Sequence, residues 1–500
     1  MTNEMVTVSI NGRCKCVPRG TLLSEALEME KPCGGHGRCG KCVVTVSGDL
    51  SEITVSEKAH LTESELCSRK RLACKTAVLG DCEVEIDRRP DKTSILTDGR
   101  AVIEAKKTAL KKYGIAIDLG TTTLAARLYD RDGVLLGTAT SVNSQVKWGS
   151  DVLSRVEAAI TGMSSELSRS IKADICAIIA TLADISKIST GEVDSVVITG
   201  NTAMLSILVN ESVEPFSHAP FVANRLFGET VCARDVGLGC LSAEASVYFP
   251  PCISAFVGAD LTCAVMATEL YNEQTAMLID IGTNGELALF FDGRLIVTSM
   301  AAGPAFEGVG ISCGMRGEAG AIDRVSVCDG RLKAHVIGDV KAIGLCGSGL
   351  VDAVAALLEL GTLDESGYLE GGTVEIVEGV NLTQKDIRML QLAKAAVCAG
   401  AGVIAEGKAI PRVYIAGGFG SYLDRKNASR IGLLPVELST VAVTVGNAAL
   451  DGASMLLLDP DAREVAEALA RGAKSVNLSE NRAFSDMYAS SMIFTEIFNM

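Results

Sequence analysis

The sequence contains neither a long apolar run nor an excess of positive charge. No stretch of 18 or more consecutive apolar residues occurs, so a membrane-spanning helix is not expected. The first residues, MTNEMVTVSING, show no basic segment followed by an apolar one, so a signal peptide is not expected either. The net charge is −15, and an acidic protein repels phosphate backbones, which argues against nucleic acid as a partner.

Two common catalytic signatures are also missing. His60, His218 and His335 stand in no pattern with a nucleophile, which argues against a Ser-His-Asp hydrolase. No GxGxxG segment follows a strand-like run, so a dinucleotide-binding domain of the Rossmann type is not expected.

Length and composition instead indicate a globular, multidomain protein, which we expect to be cytoplasmic because neither a signal peptide nor a membrane-spanning helix is expected. The chain has 500 residues, too many for one core, and its 48% hydrophobic residues are ample for folding. In the cytoplasm 17 cysteines favour metal binding over a disulfide framework. Eight of them lie in residues 1–90, where positive and negative charges cancel, so the acidic remainder predicts a second domain. The polar segment 88–114 is typical of a linker.

The segment CGGHGRCGKC, residues 33–42, predicts an iron–sulfur site. Its spacing is C-x5-C-x2-C, and Cys74 follows far downstream in RLACKT, close to the C-x4-C-x2-C…C pattern of [2Fe–2S] ferredoxins. We therefore assign the cluster to Cys33, Cys39, Cys42 and Cys74. The glycines between them, at 34, 35, 37 and 40, can adopt positive φ and direct N–H groups at the cluster sulfides.

A zinc site is the alternative for these cysteines. Zinc sites usually pair C-x2-C with a second close Cys/His pair, whereas the fourth cysteine here is solitary. His36 has no second histidine nearby, as a Rieske centre would need, so we interpret it as structural. The remaining cysteines of this region, Cys14, Cys16, Cys67 and Cys82, lie in strand- or helix-like runs and are expected to be small buried hydrophobic residues.

The runs around the cysteine loop predict a β-grasp ferredoxin domain, an α+β fold. MVTVSI and CKCVP are typical of a hairpin around Asn11-Gly12, TLLSEALEM of a helix, and CVVTVSG and CEVEI of two further strands.

An internal repeat decides the architecture of the remaining chain. IAIDLGTTTLAARLYDRDGVLL begins at residue 115, and MLIDIGTNGELALFFDGRLIV begins 162 residues later. In both, an apolar strand ends in Asp-x-Gly-Thr and is followed by two more strands. The Asp can hold Mg²⁺, and the Gly-Thr turn offers N–H and hydroxyl groups to phosphate oxygens.

This duplicated unit resembles the phosphate loops of the actin-like (ASKHA, RNase H-like) ATPase superfamily, an α/β fold. VYIAGGFGSYL (413–423) resembles its adenosine loop, and GLCGSGLVDA (344–353) is a glycine turn that opens a helix. The residues expected to bind nucleotide are Gly120, Thr121, Thr122, Thr123, Gly282, Thr283, Asn284, Gly285, Gly347, Ser348, Gly349, Gly417, Gly418 and Phe419. Asp118 and Asp280 are expected to position Mg²⁺ and water, and Glu286 is a candidate for orienting the attacking water.

A ferredoxin domain ahead of an actin-like ATPase resembles the reductive activators of corrinoid proteins. The resemblance covers nearly the whole chain, and it includes NSQVKWGSDVLSRVEAA (143–159), GNTAM, AGPAFEG (302–308) and GMRGEAGAI (314–322). It implies ATP-dependent reduction of cobalt(II) to cobalt(I) in a methyl-transfer system of anaerobic metabolism. The implied cofactors are a [2Fe–2S] cluster, ATP and Mg²⁺. The implied partners are a corrinoid protein and a low-potential electron donor, and a homodimer is compatible with the resemblance.

We expect a ferredoxin-like domain at 1–88, a linker at 89–112 and ATPase subdomains at 113–275 and 276–500. Two alternative functions remain. One is a small-molecule kinase of the acetate and sugar kinase superfamily with a regulatory Fe–S domain. The other is an electron donor resembling the activators of acyl-CoA dehydratases, but those lack a ferredoxin domain.

Overall fold

The N-terminal and C-terminal parts of the chain form separate units. The computed structural model describes residues 5–10, 13–27, 29, 35, 37, 40, 42–85, 108–282, 285–419 and 422–498. The first unit comprises Met1–Asp91 with Asn143–Ile171, and the second comprises Lys92–Val142 with Lys172–Met500. Most of the expected linker lies outside the described residues, and the expected domain limits stay predictions.

The first unit is built on one mixed sheet in the order β2-β1-β5-β3-β4. Strands β1 and β5 are parallel, and the other neighbours are antiparallel. Short helices cover the sheet. The elements are β1 Met5–Ile10, β2 Arg13–Pro18, α1 Leu23–Ala26, β3 Val43–Leu50, α2 Val55–His60, α3 Glu63–Cys67, β4 Lys70–Leu72 and β5 Val78–Glu85.

Alternation of apolar residues explains this sheet. Val6 and Val8 of β1 are buried, as are Val44 and Val46 of β3, because every second side chain of a strand faces the core. Strands β1 and β2 pair up to Ile10 and Arg13, which confirms the expected hairpin; its turn, Asn11-Gly12, lies outside the described residues. The β-grasp prediction is confirmed.

A helical segment from the middle of the chain also belongs to the first unit. A 3-10 helix at Ser144–Lys147 leads to α4, Val152–Ala158, and a π-helical turn then joins α4 to α5, Ser164–Ser186. Gln145 and Arg155 are buried, and Arg155 Nη1 donates a hydrogen bond to Gln145 Oε1 at 3.1 Å. This polar contact fixes the NSQVKWGSDVLSR motif of the sequence in one conformation.

The second unit begins with a sheet in the order β10-β11-β9-β6-β7-β8. Its elements are β6 Tyr113–Leu119, β7 Thr123–Asp130, β8 Leu135–Val142, β9 Val193–Gly200, α6 Thr202–Leu208, β10 Glu229–Cys232, α7 Ala233–Val236, β11 Ser246–Phe249 and α8 Ala259–Thr268.

A second large sheet follows in the order β21-β20-β12-β13-β14-β22, with smaller sheets β16-β15-β17 and β18-β19 beside it. The elements are β12 Thr275–Ile281, β13 Gly285–Phe291, β14 Arg294–Met300, β15 Ala321–Cys328, β16 Arg331–Val336, β17 Gly344–Leu345, α9 Gly347–Leu360, β18 Thr373–Val377, β19 Val380–Thr383, α10 Gln384–Ala405, β20 Val413–Ala416, α11 Arg425–Arg430, α12 Val436–Val441, β21 Ala442–Gly446, α13 Ala448–Leu458, α14 Ala462–Gly472, β22 Lys474–Ser475 and α15 Arg482–Ser490.

The two large sheets repeat one arrangement, which confirms the predicted duplication. Strands β6, β7 and β8 form an antiparallel meander, and β9 pairs parallel with β6. Strands β12, β13 and β14 do the same, and β20 pairs parallel with β12. The carboxyl ends of β6 and β12, which carry the repeated Asp-x-Gly sequence, are therefore equivalent positions.

Helices α8 and α13 pack closely within this unit. Cys263 of α8 and Leu450 of α13 are fully buried in one core cluster. A Cβ atom on Gly452 would lie 1.9 Å from the carbonyl oxygen of Cys263, so the helices approach more closely than any side chain at 452 allows. This contact places the N-termini of both helices.

One helix, α10, is long and apolar enough to cross a membrane, with a mean hydropathy of 1.4. Most of that helix is buried inside the second unit, where Ile387, Leu390 and Val397 contribute to the main core cluster. This is the pattern of a core helix in a soluble domain.

One cysteine pair departs from the expectation that cysteines here serve metal binding. Among the cysteines that the structure describes, Cys176 of α5 and Cys240 form a disulfide.

The α8–α13 contact yields a stability prediction. Gly452→Ala should destabilise the protein by about 1–3 kcal/mol, although alanine favours helices, because the methyl group overlaps a backbone carbonyl. Gly472→Ala at the end of α14 is the control, because a methyl group there would meet open space, and it should leave stability unchanged or slightly raised. Urea unfolding of the three proteins measures both effects. Equal midpoints for Gly452→Ala and wild type would contradict the close approach.

Candidate functional site

A cavity of about 180 Å³ lies in the second unit where the repeated turns meet. It collects most of the residues expected to bind nucleotide and Mg²⁺. The described residues that line it are Asp118, Gly120, Thr121, Thr122, Thr123, Asn201, Asp260, Asp280, Gly282, Glu286, Glu307, Gly417, Gly418, Asn447, Ala448 and Ala449.

Strand register brings the two repeated aspartates to this cavity. Asp118 is the second-last residue of β6, and Asp280 is the second-last residue of β12. Their flanking residues Leu119 and Ile281 are fully buried. Because side chains alternate along a strand, the aspartates face away from that core and into the cavity. Asp280 lies opposite Glu286 of the neighbouring strand β13.

The carboxyl groups of the cavity have raised pKa values. Burial raises the pKa of Asp118 to about 6, against a hydrogen bond from Asn447 Nδ2 to Oδ2 at 2.9 Å. Burial and then the charge of Asp118 raise the pKa of Asp280 to about 7. Burial and then the charges of Asp118 and Asp280 also raise the pKa of Asp260 to about 7. The carboxyl groups thus repel one another, and a divalent cation would relieve this repulsion.

The ligand geometry suits a cation that is shared with a phosphate. Among the described residues, no three Asp, Glu, His or Cys side chains converge as a preformed metal site. Mg²⁺ commonly takes only one or two carboxylates from the protein and completes its shell with substrate phosphates and water. The residues present therefore fit Mg²⁺ bound together with a nucleotide.

Glu286 is more deeply placed than the aspartates. It is 4% exposed, and its Oε1 accepts a hydrogen bond from the Gly258 N–H at 3.2 Å. Burial, and then the charges of Asp260 and Asp280, raise its pKa well above the ordinary value. It reaches the cavity wall as the water-orienting assignment requires, and that role stays a prediction.

The turn that follows the first repeated strand forms two side-chain hydrogen bonds. Asn201 Nδ2 donates to Thr121 Oγ1 at 3.1 Å, and Thr122 Oγ1 donates to Glu307 Oε2 at 3.0 Å. The second bond joins the two halves of this unit across the cavity. Gly417 has φ +93°, and a Cβ atom there would lie 2.5 Å from the Ile281 carbonyl oxygen, so only glycine fits beside the Asp280 turn.

Several residues expected to bind nucleotide do not line the cavity. Cβ atoms at Gly347 and Gly349 would lie 2.0 Å from the carbonyl oxygens of Phe306 and Ile322, so both glycines permit close packing of α9. Ser348 Oγ donates to the Asp323 carbonyl oxygen at 2.9 Å.

The other described residues outside the lining are Gly285 and Phe419. Gly285 begins β13 against the Met300 side chain. Phe419 stacks on Phe306 with ring centroids 4.6 Å apart, one residue beyond the cavity wall at Gly418. Thr283 and Asn284 lie outside the described residues.

Other polar residues of the lining were not expected from the sequence. Asn201 and Asn447 each follow a strand and cap a helix, accepting hydrogen bonds from the Met204 and Leu450 N–H groups. The related segments TGNTAML and VGNAALD carry that signal. Asp260 stands at the start of the apolar helix α8, where nothing in the sequence marks it.

The described part of the cysteine site brings two predicted ligands together. Cys42 and Cys74 are each 3% exposed, and their Sγ atoms lie 3.2 Å apart, farther than the disulfide bond length of about 2.05 Å. The Ala73 N–H donates to the Cys42 carbonyl oxygen at 2.8 Å, which ties the two ligand segments together. Cys33, Cys39 and His36 lie outside the described residues.

The glycines of the loop have the conformation expected of an N–H-lined cradle. Gly35, Gly37 and Gly40 have φ of 82°, 70° and 68°. Glycine at positive φ can direct its backbone N–H group toward a bound anion or cluster, as in anion- and cluster-binding loops. The buried sulfur pair and these glycines fit an iron–sulfur cluster.

The remaining cysteines of the first unit are only partly as expected. Cys82 is buried in β5, and burial and then Asp81 raise the pKa of its thiol. The expectation of burial is wrong for Cys14, Cys16 and Cys67, which are exposed. Cys14 and Cys16 lie on β2, the edge strand of the sheet, where one face is open to solvent.

Comparisons with known proteins cover nearly the entire chain. The family described as "RACo middle region" matches residues 113–273, and that described as "C-terminal domain of RACo the ASKHA domain" matches residues 274–498. "Corrinoid activation enzyme RamQ" of Eubacterium limosum is 28% identical and covers 94% of this chain and 95% of its own. "[Co(II) methylated amine-specific corrinoid protein] reductase" of Methanosarcina barkeri is 27% identical, covering 75% and 76%. The solved structure "Reductive activator for corrinoid,iron-sulfur protein" is 27% identical, covers 98% of both chains and has a TM-score of 0.70.

The position of Cys74 yields a prediction about the fourth ligand. Cys74→Ser should lose or distort the cluster, because its sulfur lies beside that of Cys42. Cys67→Ser and Cys82→Ser should retain it, because these residues lie at the end of a helix and within a strand. Iron and sulfide analysis and EPR after dithionite reduction measure the result; wild type should carry two irons and two sulfides. An intact cluster in Cys74→Ser beside an empty Cys67→Ser would overturn the assignment.

The raised carboxyl pKa values yield a prediction about pH. A carboxyl group with a raised pKa stabilises the folded state while it is protonated, and this contribution is lost as pH rises through the folded-state pKa. Metal-free protein should therefore lose stability between about pH 4 and pH 7, given values of about 6 for Asp118 and about 7 for Asp280. Stabilisation by Mg²⁺–ADP should show the opposite trend, because the cation binds the deprotonated groups.

Thermal unfolding with and without Mg²⁺–ADP between pH 5.5 and 8 tests this trend. Asp280→Asn should flatten the pH dependence, and Asp132→Asn, whose side chain is 74% exposed, should not. A stabilisation by Mg²⁺–ADP that is constant across this pH range would show that these carboxyl groups do not control cation binding.

Proposed function

The chain belongs to the RACo family of reductive activators, and we propose that it is an ATP-dependent reductive activator of a corrinoid protein. It returns inactive cobalt(II) to cobalt(I) in a methyl-transfer system and hydrolyses ATP as it does so. The observation that carries the proposal is the solved activator structure, which matches 98% of this chain with a TM-score of 0.70. The candidate cysteine site and the candidate ATP site thus occur in one chain that is similar along its length to activators.

ATP and Mg²⁺ are assigned to the cavity of the second unit. The Asp118 and Asp280 carboxylates hold Mg²⁺ and its water, and Asp260 adds negative charge beside them. The backbone and hydroxyl groups of Thr121 and Thr122, with the Gly282 turn, hold phosphate oxygens. An acidic cavity repels bare triphosphate, so the nucleotide enters with its cation.

Adenosine is assigned to the side of the cavity formed by Gly417 and Gly418. Gly417 brings the backbone against the Asp280 turn, and Ala448 and Ala449 are small residues that leave room beside it. Glu286, held by the Gly258 N–H, orients the attacking water. Gly347, Ser348, Gly349 and Phe419 stand behind this wall and support it by packing.

A hydrogen bond across the cavity links nucleotide binding to the shape of the second unit. Thr122 donates to Glu307, so a phosphate oxygen that takes the Thr122 hydroxyl competes with a carboxylate of the same charge. Phe306, the preceding residue, stacks on Phe419 near the adenosine side. The segment Ala302–Gly308 therefore contacts both ends of the nucleotide site, and its position depends on what is bound.

A [2Fe–2S] cluster is assigned to Cys33, Cys39, Cys42 and Cys74. When bound, it supplies a one-electron donor at about −400 mV, and each further 100 mV to the cobalt centre costs about 2.3 kcal/mol, which ATP can offset. The residues of the chain hold the sulfurs together, exclude water from the buried Cys42 and Cys74, and direct glycine N–H groups inward. Zinc is the alternative metal for these cysteines, and iron and sulfide analysis of the purified protein distinguishes an iron–sulfur cluster from a zinc site.

The proposed partners are a corrinoid protein and a low-potential electron donor in the cytoplasm, with a homodimer as the assembly to test. Nucleic acid and membrane are not proposed as partners. The alternative of a small-molecule kinase with an Fe–S regulatory domain is not favoured, because the relatives that align with most of the chain are named for corrinoid activation or reduction.

The coupling of ATP to reduction is tested by Asp280→Ala. This variant should lower ATP turnover by about 100-fold or more, because alignment of metal and charge supplies most of phosphoryl-transfer catalysis. It should keep the iron content and spectrum of wild type, and it should accept an electron from reductant but fail to produce cobalt(I). The measurement is the cobalt(I) absorbance of an added corrinoid protein at equal cluster loading, with and without ATP.

Asp132→Ala is the matched control for the coupling test, because it removes an aspartate from an exposed hairpin of the same unit. It should behave as wild type. Equal cobalt(I) yields from wild type and Asp280→Ala, whether or not ATP is present, would leave the ATPase half of the proposal without support. Phosphorylation of a small metabolite by wild type in a substrate screen would favour the kinase alternative.

A further inference from the structure

Glu57, the third residue of α2, carries a carboxylate that is fully buried and bonded on both oxygens. Its side chain is 0% exposed. Oε2 accepts hydrogen bonds from the Thr54 N–H at 2.8 Å and the Thr54 hydroxyl at 2.9 Å, and from Arg71 Nη2 at 3.2 Å. Oε1 accepts from Arg71 Nε at 2.7 Å, the Leu72 N–H at 3.2 Å and the Thr76 hydroxyl at 3.0 Å.

The donors divide into a local set and a distant set. The Thr54 groups form an ordinary capping box at the start of the helix. The other donors all belong to residues 71–76, the RLACKT segment, which contains the proposed ligand Cys74. One side chain on α2 thus holds that segment both before Cys74, through Arg71 and Leu72, and after it, through Thr76.

The RLACKT segment has little regular structure of its own at this point. Strand β4 ends at Leu72, and a turn follows in which the Lys75 N–H donates to the Leu72 carbonyl oxygen at 2.8 Å. The Thr76 hydroxyl also lies 3.0 Å from that carbonyl oxygen, and it can donate to only one acceptor at a time. The Glu57 carboxylate therefore adds hydrogen bonds to residues on both sides of the turn.

The carboxylate stays ionised in this environment. Burial by itself would raise the pKa of Glu57, but the hydrogen bonds from Arg71 and Thr54 outweigh burial and lower the pKa to about 2. Arg71 Nη2 additionally donates to the Ser51 carbonyl oxygen at 3.0 Å. A buried ion pair is favourable only when its remaining hydrogen-bonding capacity is met in this way.

A second capping box in the same unit shows what helix capping alone requires. Glu65 accepts from the Thr62 N–H and the Thr62 hydroxyl, both at 3.0 Å, and pairs with Lys70 at 3.2 Å. Its side chain is 36% exposed, and no bond from it to residues 71–76 is found among the described residues. The same sequence pattern, Thr-x-x-Glu with a downstream cation, therefore caps a helix at the surface, so capping does not explain the burial of Glu57.

We propose that Glu57 is a positioning residue for the iron–sulfur cluster, holding the Arg71–Thr76 turn so that Cys74 stays at ligand distance beside Cys42. This inference rests on the proposed four-cysteine cluster. Among the described residues, Glu57 forms no bond to a cysteine sulfur; it acts through Arg71, Leu72 and Thr76. Removing its charge leaves Arg71 buried without its counter-ion and weakens the side-chain hold on the turn that carries the ligand, which then depends on backbone bonds such as that from the Ala73 N–H to the Cys42 carbonyl oxygen.

The primary test is Glu57→Gln in the full-length, cluster-loaded protein, with Glu65→Gln as the matched control. The glutamine amide keeps the shape but presents a donor where the carboxylate accepts, so at least one of the six bonds becomes a repulsive contact. Glu57→Gln should lose iron to a chelator at least about tenfold faster than wild type and shift the EPR g-values of the reduced cluster. Glu65→Gln should match wild type in both measurements.

A second pair of variants decides the question if Glu57→Gln does not fold. Thr76→Val replaces, at a fully buried site, the hydroxyl group that lies 3.0 Å from both Glu57 Oε1 and the Leu72 carbonyl oxygen, and Thr76→Ser retains that hydroxyl group. Thr76→Val should speed cluster loss and shift the EPR signal in the same direction, and Thr76→Ser should recover the wild-type values. Circular dichroism confirms folding of each protein.

The outcomes distinguish this inference from the proposed function. Wild-type protein without iron and sulfide would overturn the cluster assignment and the inference with it. A normal cluster in wild type, together with wild-type EPR and chelation rates in Glu57→Gln or, where that variant is unfolded, in Thr76→Val, would overturn the inference alone.

Discussion

Mutual repulsion among buried carboxyl groups is the constraint on which the second unit depends. Duplication of a strand that ends in Asp-x-Gly places Asp118 and Asp280 at equivalent strand ends, and both side chains reach one cavity. Without a cation, their pKa values rise toward neutrality, because burial opposes the ionisation of both groups and the charge of Asp118 also opposes that of Asp280. Carboxyl groups that are costly to ionise in a buried cavity would gain stability from a bound cation, which is compatible with the proposed Mg²⁺–nucleotide site.

In the first unit, the protein instead stabilises the ionised form of a buried carboxylate. Glu57 has Arg71 as a counter-ion within the protein, so its pKa falls to about 2 and its charge is permanent. In the cavity, by contrast, the described lining residues include no Lys or Arg as a counter-ion for the carboxyl groups. The first unit thus compensates the charge of its buried carboxylate with an arginine, which suits the proposed anchoring of the Arg71–Thr76 turn. The carboxyl groups of the cavity lack such a partner among the described lining residues, which suits the proposed binding of a cation there.

Local sequence signals predicted the secondary structure of both units well. The alternation in MVTVSI and CVVTVSG produced strands because each buries one face, and the repeated IDLGT and IDIGT segments produced equivalent strands. Prediction was weaker for glycine turns. Gly347 and Gly349 resemble a phosphate loop in sequence, yet their missing side chains make room for the backbone of Phe306 and Ile322. A glycine signals close approach, but the sequence does not show whether a ligand or another part of the chain approaches.

The sequence by itself determined the repeat, the cysteine spacing and the order of the domains, because these depend on periodicity and on residue types close together in the chain. Only the tertiary structure decided which distant residues share a site. Asp260, Asn447 and Glu307 reach the cavity because helix packing and strand order bring them there. The sequence marks Asn447 only as a helix cap and Glu307 only as part of the AGPAFEG segment, and neither signal shows that these residues share a site. Glu57 and Glu65 have the same local pattern, and their different burial follows from which one faces the Arg71–Thr76 turn. Local patterns fix the backbone of an element, whereas the environment of a side chain is set by contacts between elements, and those contacts form only in the folded chain.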